Sequence, residues 1–306
     1  MSRVRFAAAL AALLASSPVL AQAGAVESPT PNDQPIVVEG QRVQAEAIVR
    51  DTLDGAGVLP LGRFEDKVCP GVVGLAAEQA ERMLQVLRAN VVALGGELDK
   101  PGCTANATVI FAPNPADFIT KLAVKSPGYF SFSPAGLKQF TASPRPVFSW
   151  HVIEMRDRDG NELGNSRELG MAKARILDQP AAAGAPMSAR VLRNTAASHL
   201  ATSSRADMLF GFVVIDAARI QGKSMQQLAD LATLHLLLEI KQGAATNPAS
   251  ILSLFDDRPP GASAPPGLSS YDRAMIQGLY GPNENNRTPA QQFSQIATAV
   301  RRATAQ

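Results

Sequence analysis

Between Ser224 and Ile240 the chain reads SMQQLADLATLHLLLEI, a helix-length run with leucine around most of its circumference. Met225, Leu228, Leu231, Ala232, His235, Leu238 and Glu239 recur at helical spacing, Ser224 is a suitable N-cap, and Gln242-Gly243 is a suitable stop. A helix apolar on one stripe can lie on a surface. One apolar almost all round must be enclosed by other elements, so it predicts a helix at the centre of a core.

The elements that enclose it are readable on both sides. MLFGFVVIDA (Met208–Ala217), just upstream, is a continuous apolar run with β-branched residues, as expected for a strand covered on both faces. ATVIFA (Ala107–Ala112), VFSWHVIEM (Val147–Met155) and ARVLRN (Ala189–Asn194) read as further strands, and Asp159-Gly160 as a hairpin turn. Met83, Leu87, Val91 and Leu94 place a helix over Leu75–Leu94 ended by Gly95-Gly96, and a second helix starts after Pro115. Prolines and glycines break residues 126–146 into an irregular excursion, and Gln179–Pro186 reads as a loop. NPASILSLF (Asn247–Phe255) reads as a tight apolar turn, LSSYDRAMIQGLYG (Leu268–Gly281) as a capped helix, and residues from about 288 to 304 as a terminal helix.

The N-terminus is of a different kind. MSRVRF is basic, AAALAALLASSPVL is a short apolar run, and Ala21 and Ala23 suit small-x-small cleavage, so residues 1–23 read as a secretory signal peptide. The run is shorter than the roughly 20 residues that span a bilayer, and no transmembrane segment is expected. The chain is therefore read as exported, to the periplasm or beyond the cell. Residues 24–45 read as a disordered lead-in and 46–306 as one domain. Within the lead-in, Ile36, Val37 and Val38 open an extended segment, IVVEGQR. It resembles the short segment by which many outer-membrane receptors add a strand to an energy-coupling protein; a linker or a strand of the domain is the plainer reading.

Two cysteines, Cys69 and Cys103, in an exported chain suggest a disulfide. Free thiols or metal ligands are the alternative, but two thiolates with no histidine nearby make a poor zinc site. The formal charge of +2 comes with scattered arginines, which leaves no clustered basic face for nucleic acid.

Ser269, Asp272, Ile276, Gln277, Leu279, Tyr280 and Gly281 form the string S-x-x-D-x-x-x-I-Q-x-L-Y-G. That string resembles the closing helix of the matrixin branch of the metzincin zinc peptidases. The order of strand, enclosed helix, tight turn and closing helix over Met208–Gly281 is similar to that family's C-terminal part. The resemblance implies an α+β, zincin-like fold with a mixed sheet packed against the enclosed helix and further helices. Leu252 would stand where the family's turn carries a methionine.

The same resemblance argues against the activity. The family holds zinc with H-E-x-x-H-x-x-G-x-x-H on the enclosed helix, the glutamate acting as general base. Leu228, Ala229, Ala232, His235 and Leu238 fall on the His, Glu, His, Gly and His places. Leucine and alanine offer a metal no lone pair, so neither a zinc cofactor nor catalytic residues are expected. His235 and Glu239, one turn apart, are a weak metal pair that would need a third ligand from His151 or His199. The plainer reading gives His235 a hydrogen bond to Glu239 or to solvent. The resulting expectation is a non-catalytic binding domain for a protein or peptide in the cell envelope. A divergent zinc peptidase built on His235 and Glu239, or an accessory protein of an outer-membrane system, are the alternatives.

Overall fold

A computed structural model of the chain describes residues 33–54, 60–157, 159–161, 204–244, 247–281 and 288–304. The signal-peptide segment, the Gln179–Pro186 loop, the Ala189–Asn194 strand and His199 lie outside the described residues. No described helix is long and apolar enough to cross a membrane.

Four strands form one mixed sheet: β1 (Pro70–Val73), β2 (Ala107–Ala112), β3 (Val147–Asp157) and β4 (Ser204–Asp216), in the order β1-β2-β4-β3. β1, β2 and β4 run parallel, and β3 pairs antiparallel to β4 at one edge of the described sheet, with β1 at the other. Its register shifts by a bulge between Val152 and Ile153. The turn at Asp159-Gly160 forms, with Gly160 in the left-handed region at φ 88° and Asp157 accepting from Asp159 and Asn161. It does not make a tight hairpin, because the partner strand begins only at Ser204.

β4 is covered on both faces, and the period of two shows why. Val213 and Ile215 belong to the main core, while Phe212 and Val214 belong to a second cluster on the other side of the sheet. The main core holds α2 (Ala77–Ala93), α5 (Met225–Leu237), α6 (Ser270–Tyr280) and α7 (Pro289–Thr304). Leu231, Leu234 and Leu237 of α5 are each at most 1% exposed, and each such burial contributes about 2 kcal/mol. The second cluster packs α3 (Pro115–Lys125) and α4 (Pro134–Thr141) over the opposite face. The irregular excursion expected over 126–146 thus contains a short helix, started by Ser133 as cap and Pro134 at its first position.

α5 carries the expected Ser224 cap, as a full capping box with Gln227. It stops at Leu238 rather than at Gln242-Gly243, because Leu238 turns extended and Ile240 bridges to Leu53. Nor is it wholly apolar. Asp230 and Thr233 are buried, and Asn90 of α2 donates to both, at 2.7 and 3.0 Å. Gln226 and the Leu268 amide supply the carboxylate's other donors, so the charge is buried with its hydrogen bonds made.

The lead-in departs most from expectation. Ile36, Val37 and Val38 lie in α1 (Asp33–Thr52), so this segment is helical rather than extended or disordered. Ala45, Val49 and Leu53, four residues apart, bury one stripe in the main core, and that stripe outweighs the strand preference of the upstream valines. The cysteine pair is bonded as expected, Cys69 to Cys103, tying the approach to β1 to the approach to β2. At the other end, the Gln292 side chain of α7 accepts from the Leu61 amide at 2.9 Å. α7 lies so close to α6 that a Cβ on Gly278 would meet Ile296 Cα at 2.8 Å.

Candidate functional site

The C-terminal end of α5 meets β3 at Gly211 of β4. A side chain there would press on Leu236 O, Phe64 and His151, so the missing Cβ lets the helix end approach the sheet. Along β3 the residues Val147, Ser149 and His151 share the face toward α5, as alternation requires. Ser149 Oγ and His235 Nδ1 are 2.9 Å apart, and His151 Nε2 lies 3.1 Å from Leu236 O. His235 is therefore paired with a strand serine, not with Glu239.

Glu239 has left the helix, and its Oε1 accepts from the Gly62 amide at 2.6 Å. The weak His235–Glu239 metal candidate loses its helical spacing, because the helix ends between the two residues. Among the described residues no three of His, Cys, Asp and Glu come together to hold a metal.

Burial dominates the electrostatics. Desolvation lowers the His151 pKa to about 4, against the opposing effect of the carbonyl hydrogen bond. Desolvation, then the neighbouring His151, lowers His235 to about 3. Both rings are neutral near pH 7. Burial raises Glu239 to about 7, opposed by the Gly62 amide and helped by Asp54.

A cleft of about 250 Å³ runs beside this junction, lined by Val147, Ser149, Leu231, His235, Lys241 and Leu252 among others. A smaller recess of about 170 Å³ shares Ser149, Ile240 and Gln242 with it and reaches Trp150, His151 and Glu239. Leu252 sits in the turn Ile251–Phe255, as the expected order of elements has it. Leu228, Ala229, Ala232 and Leu238 are buried in the main core, and none of them lines the cleft. The pair one helical turn apart that faces the cleft is Leu231 and His235. A wider depression of about 530 Å³ between α6 and α7 is lined mainly by glutamine, serine, threonine and glycine, and adjoins residues 282–287 outside the described set.

The turn is fixed by α6. Asp272, fully buried, accepts from Ser250 Oγ, from the Ile251 amide at 2.9 Å, and from the Ser269 amide and hydroxyl at 2.9 Å each. The helix cap and the floor of the cleft thus share one carboxylate. Tyr280 closes the other end, its hydroxyl accepting from the Phe64 amide at 3.2 Å.

A serine–histidine pair works when the imidazole is basic and a carboxylate orients its second nitrogen. His235 is far less basic than usual, and none of its hydrogen bonds among the described residues goes to a carboxylate. Sequence reasoning missed Ser149 as a partner of His235; alternation places Ser149 and His151 on one face, but nothing local names the helix that face meets. Comparison with protein-family models, with curated proteins and with solved structures finds no match for this chain.

Proposed function

We propose that this is an exported, non-catalytic domain of zincin-like build that binds an extended protein or peptide segment along β3. The carrying observation is the cleft at β3, an edge strand of the described sheet, where His235 is engaged by Ser149 and its helical neighbour one turn earlier is Leu231. The order β4, α5, the 251–255 turn and α6 supports the metzincin resemblance, as does the antiparallel outer strand. The cleft favours a register three residues later than the sequence alone suggests: Leu231, Ala232, His235, Leu238 and Lys241 on the His, Glu, His, Gly and His places. In that register one ligand of three is present, and alanine replaces the general base. A catalytic zinc needs three protein ligands, so binding without cleavage is the function left to such a cleft.

No described strand pairs with the outer side of β3, and an edge strand offers what a strand-adding partner uses, a row of main-chain donors and acceptors. Export rests on the basic and apolar character of residues 1–23 and on the disulfide, which suits an oxidising compartment. Two measurements test the proposal. The purified protein is expected to hold well under one zinc per chain, and bound peptide is expected to slow hydrogen exchange at the amides of residues 147–152. One tightly held zinc per chain, or peptide binding that leaves those amides unprotected, overturns it.

A further inference from the structure

The recess at the edge of β3 has a composition unlike the cleft beside it. Its walls include Phe132, Phe140 and Trp150 on one side and Asp54, His151 and Glu239 on the other, with no lysine or arginine among the described residues. Nearby cations are already committed. The Arg145 guanidinium lies 4.8 Å from the Phe148 ring centre and donates to Phe140 O, and Lys241 Nζ donates to Arg50 O. Among the described residues no cation pairs with the Glu239 carboxylate, whose hydrogen bond there comes from the Gly62 amide. Burial without a counter-charge is what raises its pKa to about 7.

We propose that this recess takes the lysine or arginine side chain of a peptide lying along β3, with Glu239 as counter-ion and the Phe132, Phe140 and Trp150 rings as walls. The inference rests on the peptide-binding reading above and adds the chemistry of one residue of the partner. A volume of about 170 Å³ suits one long side chain rather than a drug-sized molecule, whose pockets begin at roughly 300 Å³. Aromatic faces attract ammonium and guanidinium groups, and a partly buried carboxylate adds a charge-assisted hydrogen bond. The rings hold their places by packing on one another: Phe132 and Phe140 centres are 4.8 Å apart, and Phe140 stands edge-on to Trp150 at 6.2 Å.

Trp150 is the chain's one tryptophan, so its fluorescence reports on the recess directly. The probes are acetylated, amidated pentapeptides of sequence TVKVT, TVRVT, TVMVT and TVEVT, together with n-butylammonium. The lysine and arginine peptides are expected to bind at least about tenfold tighter than the methionine and glutamate peptides. Glu239→Gln keeps an oxygen for the Gly62 amide and is expected to reduce that preference to within about threefold. Asp54→Asn, farther from the core, gives a second and smaller reduction. The preference should also weaken from pH 8 to pH 6. Glu239 gains its proton over that range while His151 and His235 stay neutral; the other charged groups facing the recess and the adjoining cleft are Asp54, Arg145 and Lys241. Equal binding of all four peptides overturns the basic-residue inference and leaves strand addition standing. Glu239-dependent quenching by n-butylammonium with no peptide bound supports the recess and overturns the peptide reading. No response to any probe overturns both.

Discussion

Replacing Asp272 should show how much of the cleft's geometry depends on one carboxylate. In Asp272→Ala, two fully buried donors, Ser250 Oγ and the Ile251 amide, lose their acceptor in a place water does not reach. Each buried donor left unpaired costs about 1–3 kcal/mol. Loss of the Ser269–Asp272 capping box adds about 1 kcal/mol. The sum is about 3–7 kcal/mol, which for a chain of this size lowers the melting temperature by roughly 6–28 °C. Asp272→Asn is the discriminating partner. Its oxygen can keep the Ile251 and Ser269 amides while its NH₂ turns to the Ser250 hydroxyl, which is able to accept, so the cost should be about 1–2 kcal/mol. Urea titration followed by Trp150 fluorescence and far-ultraviolet circular dichroism, with the disulfide intact, measures both. An alanine variant within about 1 kcal/mol of the wild type, or an asparagine variant worse than alanine, would refute the reasoning.

The register of the cleft can be tested by restoring ligands. Leu231→His with Lys241→His should create a zinc site with His235, read as one zinc per chain after dialysis, whereas Leu228→His with Ala232→His should not. Stability should fall on acidification by about 1 kcal/mol per pH unit between pH 6.5 and 4.5. His151 and His235 titrate lower in the folded state than unfolded, so the unfolded chain takes up two protons there that the folded chain refuses. Glu239, raised in the fold, opposes this with one proton. His235→Gln should nearly flatten the slope, and an unchanged slope in urea titrations across this range would count against buried neutral rings. Reducing Cys69–Cys103, 34 residues apart, should cost about 4 kcal/mol on the chain-entropy account, checked by urea titration with and without reductant.

Local pattern carried much of the architecture. β2 matches the expected Ala107–Ala112 to the residue, because a short apolar run after a Pro-Gly turn has few alternatives. The closing helix was equally legible, with Ser269 or Ser270 as its cap, and Ser269 is the one that caps it. The cleft was not. An enclosed helix apolar on nearly every side gives no sign of which leucine faces the one open direction, and only the position of β3 picks out Leu231 over Leu228. The polar positions of α5 were hidden for the same reason, since Asp230 and Thr233 are satisfied by Asn90, some 140 residues away. α1 shows local preference losing to packing: three valines and isoleucines favour a strand, and the Ala45, Val49, Leu53 stripe makes a helix. The aromatic wall escaped notice because Phe132, Phe140 and Trp150 lie on separate stretches and meet only when α4 packs on β3.

The bond from the Leu61 amide to Gln292 has a consequence in time as well as in space. The hydrophobic core contains Leu53 and Leu61 near one end of the folded chain and Phe293, Ile296 and Val300 near the other. Neither group can be shielded from water until both are available, so a chain emerging N-terminus first cannot complete its core from the leading residues alone. Threaded through a narrow channel, it would stay pliable until residues 289–304 had cleared the pore, and only then close on itself. A chain wired in this way completes its core only once residues 289–304 are free to join it.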